Sequence, residues 1–155
     1  MVTSITTREV VQELNQYLQG IYMGVDAFEK YVDKTKSEEI KGALSEIHST
    51  YKRHAGLITN RISELGGEPI TKVSLVGKLS EIYEDIKELT VNTDLELLEK
   101  AYDACKTGFI MGQKFLNESK NLDHSSYQLI KELVHDSEEC ATRISGLFEL
   151  VINKH

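Results

Sequence analysis

The sequence predicts an all-α protein: a four-helix bundle of two antiparallel helical hairpins, with an additional short crossover helix between the hairpins. Two observations predict this class. Apolar residues recur at steps of three and four through four long segments, which is the helical period. The 155 residues also include only one proline, a residue that interrupts helices. A chain of this length is expected to form one domain, residues 1–155.

The segment 37–66 is the clearest helix of the prediction. A helix of this length spans roughly 40 Å at about 1.5 Å per residue, so partners of similar length must cover its apolar stripe. The sequence Gly66-Gly67-Glu68-Pro69 ends it, because glycine accepts positive φ and proline cannot continue a helix. The stripe contains Ile40, Leu44, Ile47, Tyr51, His54, Ile58, Ile62 and Leu65.

The other helices are predicted from their caps and periodicity. The first covers residues 7–35, the crossover helix 74–91, and the last two long helices 94–119 and 123–153. The first helix has a second apolar row that widens its face, so it must have two neighbours or contribute to a subunit contact. This row consists of Val11, Leu18, Val25 and Val32.

Charge and hydropathy exclude several classes of partner. The net charge of -7 and the pI near 5.3 disfavour nucleic acid and anionic membranes, which bind clustered lysine and arginine. No apolar run approaches the roughly 20 residues that span a bilayer, and the start of the chain lacks a signal-peptide pattern. We therefore expect a cytoplasmic protein that binds neither nucleic acid nor membrane.

An internal echo indicates a duplicated helical hairpin. The run 20–24, Gly-Ile-Tyr-Met-Gly, is similar to the run 108–112, Gly-Phe-Ile-Met-Gly. Two such hairpins joined by a long connection form the ferritin-like arrangement.

The run 51–62 and the Leu-Gly-Gly-x-Pro exit at 65–69 resemble the second helix of bacterioferritins and rubrerythrins. They are still more similar to an uncharacterised bacterial ferritin-like domain family with the same exit.

The resemblance implies positions for a di-iron centre, built in such relatives from a Glu on each of two helices and Glu-x-x-His on the other two. Here the single-Glu positions fall on Ile21 and Phe109. The paired motifs become Tyr51-x-x-His54 and Ser137-x-x-Cys140, so His54 alone keeps the expected ligand type. Apolar side chains in place of carboxylates leave two divalent ions without neutralising charge. We therefore expect no di-iron centre and no cofactor.

Several side chains near these positions allow alternative interpretations. His54 and Cys140 could hold a single zinc or iron ion, whereas the structural alternative is a buried His54 bonded to Tyr17. If a metal nonetheless binds, Glu46 and His48 are the first ligands to examine. Cys105 and Cys140 could form a redox pair, although free cysteines are often buried as small apolar side chains.

The sequence favours a non-enzymatic bacterial stress or interaction protein with a degenerate di-iron site. We expect a homodimer through the wide apolar face of the first helix, and the sequence does not identify another protein partner. One alternative is a metal-dependent redox protein that oxidises iron or removes peroxide with displaced ligands. Another is a small-ligand carrier with a core pocket lined by Tyr17, Ile21, Tyr51, His54, Cys105, Phe109, Ser137 and Cys140.

Overall fold

The computed structural model of the chain describes residues 5–71 and 78–152, and within these ranges every regular element is a helix. The all-α class is therefore confirmed. The predicted start of the crossover helix at residue 74 lies outside the described residues. The helices are α1 (Ile5–Lys34), α2 (Glu38–Glu64), α3 (Lys78–Lys87), α4 (Asp94–Glu118), α5 (His124–Leu147) and α6 (Glu149–Ile152).

Polar side chains cap the helices where the sequence predicted. Ser37, Thr93 and Asp123 each accept a hydrogen bond from the backbone N–H three residues later, at the starts of α2, α4 and α5. Gly66 takes φ 81° just after α2, so the glycine exit is also confirmed. These bonds satisfy N–H groups that a helix start leaves without intrahelical partners.

The last helix is shorter than predicted. Residues 123–153 were expected to form one helix, but α5 ends at Leu147 and the four-residue α6 follows Phe148. Gly146 stands at this break, and a glycine inside a helix costs about 1 kcal/mol relative to alanine. The Phe148 carbonyl accepts hydrogen bonds from the Val151 and Ile152 N–H groups, which begin the next helical turn.

Residue pairs across the bundle fix its topology. Along α2 and α5, Glu46 pairs with Arg143, His54 with Asp136, and Arg61 with Asp123, so these two helices are antiparallel. Along α1 and α4, Tyr17 contacts Phe115 and the Tyr31 hydroxyl donates to the Lys100 carbonyl, which also gives an antiparallel pair. Each hairpin is antiparallel by its short turn, so α2 and α4 run in the same direction on a diagonal. A connection along the bundle is needed for this arrangement.

The core consists of two neighbouring clusters of buried side chains. One lies around Phe28, Leu44 and Tyr51, and the other around Leu14, Ile58 and Ile130. His54 follows Tyr51 by one helical turn and is buried at 1 % exposure. The candidate site therefore lies inside the bundle, surrounded by apolar side chains of all four long helices.

The second apolar row of α1 is partly covered within the chain, and because Val11, Val25 and Val32 each keep some exposure, the expected subunit contact through this face stays a prediction. A side-chain carbon on Gly67 would stand 2.6 Å from Val11, so the exit from α2 packs on this row. Leu18 is fully buried, and Val25 and Val32 pack beside the first cluster together with Ile86 of α3. The width of an apolar face does not tell whether it is covered by the chain's own connection or by a second subunit.

No helix within the described residues combines the length and the apolar character that crossing a membrane requires.

Candidate functional site

Tyr51 lies at the centre of the candidate site, where its ring packs against Phe28 and Gly24 of α1. Its ring centroid is 5.5 Å from that of Phe28. On the neighbouring turn of α1, a side-chain carbon on Gly24 would stand 3.4 Å from the Tyr51 Cδ1 atom. Gly24 thus lets α1 and α2 approach closely around the tyrosine. Tyr51 is buried, and burial raises the pKa of its hydroxyl well above the usual value.

The hydroxyl of Tyr51 faces the two cysteines of the chain. It donates a hydrogen bond to the Cys105 Sγ atom of α4 over 3.7 Å. Cys140 of α5 lies in the same buried cluster as Cys105, and the Ser137 hydroxyl donates to the Leu133 carbonyl one turn earlier on α5. Polar side chains from α2, α4 and α5 therefore meet inside an apolar core.

The two thiols are electrostatically different. The interaction with Cys140 and then burial raise the pKa of Cys105. The interaction with Cys105 lowers the pKa of Cys140, although burial acts in the opposite direction. Cys140 is therefore the thiol of the pair that ionises first.

His54 bonds to an aspartate rather than to Tyr17, which corrects the sequence prediction. The distance between its Nε2 atom and Asp136 Oδ2 is 2.9 Å, and the Arg53 guanidinium reaches the same oxygen at 3.1 Å. A carboxylate only accepts, so the proton of this bond is on Nε2. Tyr17 instead packs on the Phe115 ring with centroids 5.2 Å apart, because Gly112 leaves room beside its hydroxyl.

Burial and hydrogen bonding together set the pKa values of His54 and Asp136. Burial lowers the pKa of His54, and the hydrogen bond to Asp136 only partly opposes that effect. Burial alone would raise the pKa of Asp136, but the hydrogen bonds and charges of His54 and Arg53 outweigh it and lower the pKa. Near neutral pH the arrangement is a neutral imidazole donating to an ionised carboxylate.

The positions implied for a di-iron centre are divided between the two neighbouring core clusters. Tyr51 and Cys140 belong to the first, with the His54 ring centroid 5.8 Å from that of Tyr51, whereas Ile21 is buried in the second and Phe109 packs against it. Phe109 also lines an open groove of about 250 Å³ between α4 and α5. None of these side chains is a carboxylate, so the set lacks the donors that hold and neutralise two irons.

The other metal-ligand candidates also lie apart. Glu46 is exposed and pairs with Arg143 of α5, while the Nε2 atom of His48 is buried without a hydrogen-bond partner. These two residues are two positions apart on α2, so they do not share a face. His54 could offer only Nδ1 to a metal, because Nε2 is bonded to Asp136. In the ranges 5–71 and 78–152, no three His, Cys, Asp or Glu side chains converge as a metal site would require.

Asp136 and Arg53 are the site residues that the sequence reasoning missed. Asp136 directly follows His135, which is exposed on α5 and pairs with Glu139. A usable signal was present, because Asp136 precedes Cys140 by four residues and so shares its helix face. Antiparallel packing of α2 on α5 then brings His54 opposite Asp136.

Comparison with solved structures defines the class of this fold. The chain superposes with a TM-score of 0.78 on a two-domain protein from Anabaena variabilis with DJ-1/ThiJ/PfpI-like and ferritin-like domains, at 23% identity. The match covers 96% of this chain and 41% of that one, so the chain spans less than half of that relative. The dodecameric thioferritin of Bacteroides fragilis, a bacterioferritin-related protein, gives a TM-score of 0.74 at 15% identity, over 95% of this chain and 88% of that one.

A third solved structure leads to the same class. The ferritin-like, diiron-carboxylate protein of Bacillus anthracis gives a TM-score of 0.67 at 19% identity, over 94% of this chain and 99% of that one. The chain therefore has a ferritin-like fold, as the resemblance predicted. It belongs to the family described as Domain of unknown function (DUF2383), whose profile matches residues 9–118. No curated protein matches the chain.

Proposed function

We propose that this chain is a non-enzymatic bacterial interaction protein: a ferritin-like bundle that works without a di-iron centre and through its surface. The observation that carries the proposal is the occupation of the bundle centre by Tyr51 and the two thiols. The Tyr51 hydroxyl donates to Cys105, Cys140 lies in the same buried cluster, and the ring of Phe28 packs against the tyrosine. Two bridged irons would need several inward carboxylates at this level, and burying their charge without such ligands is prohibitive.

Metal analysis tests the absence of a di-iron centre. The protein is purified from cells grown with added iron, dialysed, and analysed for iron and zinc per chain. We expect far less than one metal ion per chain and no acceleration of ferrous oxidation over buffer. Two irons per chain would overturn the proposal. One zinc per chain that disappears in Cys140→Ser would instead support the single-ion alternative.

The proposed interaction surface lies on α4. Ile110 and Met111 are adjacent, 53 % and 41 % exposed, although both are large and apolar. Exposed apolar side chains are candidates for protein contacts, and because these two point about 100° apart around α4, they cover a broad part of its outer side. The thioferritin of Bacteroides fragilis is a dodecamer, which supports self-association as the first contact to test.

Light scattering on eluted protein measures the assembly directly. We expect wild-type protein to elute as at least a dimer, and the double variant Ile110→Ser with Met111→Ser to elute as a smaller species. Leu95→Ser is the matched control, because Leu95 is 40 % exposed on the same helix, about four turns away. A wild-type monomer at micromolar concentration would contradict self-association. An unchanged assembly in the double variant would move the contact elsewhere on the surface.

A further inference from the structure

The two cysteines of the chain are brought together from separate helices. Positions 105 and 140 are distant in the sequence, yet both thiols are buried in the first core cluster. Gly112 of α4 lies against Val134 of α5, and because these two helices are antiparallel, this register brings Cys105 and Cys140 to the same level of the bundle. They are not joined by a disulfide, which would require the two sulfurs to reach a bonded distance of about 2.05 Å.

The surroundings of the pair make the two sulfurs unequal. Cys140 keeps 8 % exposure whereas Cys105 has none, so a small oxidant reaches Cys140 first. Arg143 lies less than one turn further along α5 and favours negative charge on Cys140, whereas Asp136 and Glu139 of the same helix oppose it. The Tyr51 hydroxyl donates to Cys105, so it stabilises charge on that sulfur when its proton leaves. Cys140 is suited to attack and Cys105 to resolve.

We propose that Cys140 and Cys105 form a redox site that a hydroperoxide oxidises to a disulfide between α4 and α5. In the first step the Cys140 thiolate attacks the peroxide, the O–O bond breaks, and the products are a sulfenic acid and an alkoxide or hydroxide that takes up a proton. In the second step the Cys105 sulfur attacks Cys140, an S–S bond forms, and water leaves with the Cys105 proton. Overall, two thiols lose two electrons, and the peroxide is reduced to an alcohol and water, or to two waters.

Peptide mapping after peroxide treatment tests the proposal. Trypsin is expected to release residues 101–106 with Cys105 and residues 132–143 with Cys140. After reaction of the folded full chain with hydrogen peroxide, blocking of free thiols and digestion, we expect these two peptides to be linked. The intact chain should lose two hydrogens, and dithiothreitol should reverse the change. Free thiols on both cysteines after treatment, or linkage only between different chains, would overturn the proposal.

Serine variants separate the roles of the two sulfurs. Cys105→Ser removes the resolving thiol, so a dimedone-reactive sulfenic acid should accumulate on Cys140. In Cys140→Ser, oxidation of Cys105 should be at least about tenfold slower than that of Cys140 in Cys105→Ser, because thiolate reactivity follows ionisation and access. Equal rates would contradict the assignment. Both variants are first compared with wild type by circular dichroism. If either is unfolded, the peroxide-dependent linkage in wild type decides alone.

Discussion

Asp136 is the residue on which the buried imidazole of the bundle depends. A single carboxylate oxygen accepts hydrogen bonds from His54 and Arg53, and His54 is 1 % exposed while the aspartate is 29 % exposed. The aspartate therefore connects the interior of the bundle with its surface. Without it, the Nε2–H group of His54 is left in the core without this partner.

Replacement of the aspartate should destabilise the fold. For Asp136→Ala we expect the free energy of unfolding in urea to fall by about 1–3 kcal/mol, the usual cost of an unsatisfied buried donor. The control is Glu138→Ala, an exposed carboxylate on the same helix. Its stability should stay within about 0.5 kcal/mol of wild type. Equal losses in both variants would mean that the effect comes from α5 itself and not from the pair with His54.

The pH dependence of stability should report the neutral state of His54. Burial lowers the pKa of this residue in the folded protein, so its contribution is complete above the usual histidine pKa of about 6.5. It is lost as the pH falls through the folded-state pKa, because the unfolded chain then binds a proton that the folded chain does not. In His54→Phe, unfolding followed from neutral pH to about pH 5 should therefore show a flatter loss of stability than wild type.

An exposed histidine serves as the control for this measurement. His135 is exposed and pairs with Glu139 on its own helix. His135→Phe should keep the slope of the wild-type protein. If His54→Phe also keeps that slope, the buried imidazole takes up its proton as easily in the folded chain as in the unfolded one.

At this scale the sequence predicted part of the site. The helical stripe placed Tyr51 and His54 in the core, because helical periodicity is a local property. It did not identify Asp136 as the partner of His54 or Gly24 as the surface under Tyr51. Those pairings depend on the relative register of separate helices, which no local pattern specifies.

Close approach of helices depends on single glycines at two levels of the bundle. At Gly24 the neighbour is the ring of Tyr51, whereas at Gly112 of α4 it is Val134 of α5. A side-chain carbon on Gly112 would stand 2.6 Å from the Val134 Cγ2 atom, closer than such atoms can lie. Val134 is buried, so it has no free space into which to turn.

Alanine substitutions at two glycines should have opposite effects. For Gly112→Ala we expect a loss of about 1–3 kcal/mol in the free energy of unfolding, because α4 and α5 must separate or Val134 must leave its rotamer. Gly42 of α2 has no atom within 4 Å of such a carbon and is the control. For Gly42→Ala we expect a gain of about 0.5–1 kcal/mol from helix propensity. Stabilisation by both substitutions would show that the α4–α5 contact adapts without cost.

The turn between α1 and α2 is attached to the start of α4. The carboxylate of Asp94 accepts hydrogen bonds from the backbone N–H groups of Lys36 and Ser37, each at 2.9 Å. For Asp94→Ala we expect a loss of about 1–3 kcal/mol, because charge-assisted bonds to backbone donors are lost. Glu99→Ala, an exposed site on the same helix, should change thermal unfolding little. A loss of equal size there would argue against the attachment.

The helices themselves could be predicted well from the sequence, since caps, stripes and the glycine exit are local signals. The second row of α1 could not be interpreted in the same way. Its cover comes from Gly67 and from α3, and only the folded chain shows that they return to that face. The break before α6 was missed because Gly146 alone is a weak signal.

At the scale of the whole molecule, the two hairpins enclose a polar cluster without carboxylates at the level of Tyr51. Metal that binds the folded state raises its melting temperature in proportion to the logarithm of metal concentration. We expect a tenfold excess of ferrous salt under anaerobic conditions, or a chelator, to change the melting temperature by no more than about 1 °C. Metal binding that stabilised the folded state by about 1 kcal/mol would shift the melting temperature by several degrees. A larger rise with iron would contradict the proposed function.

The parallel diagonal of α2 and α4 has a consequence for how the chain could be divided. Each hairpin is continuous in sequence, and its inner face is covered by the other hairpin through the α1–α4 and α2–α5 contacts. Two separately expressed halves, cut in the long connection, would each expose that face and would each be the complementary fragment for the other. Reassembly of the bundle from the two halves would then report that both polypeptides are made in the same cell.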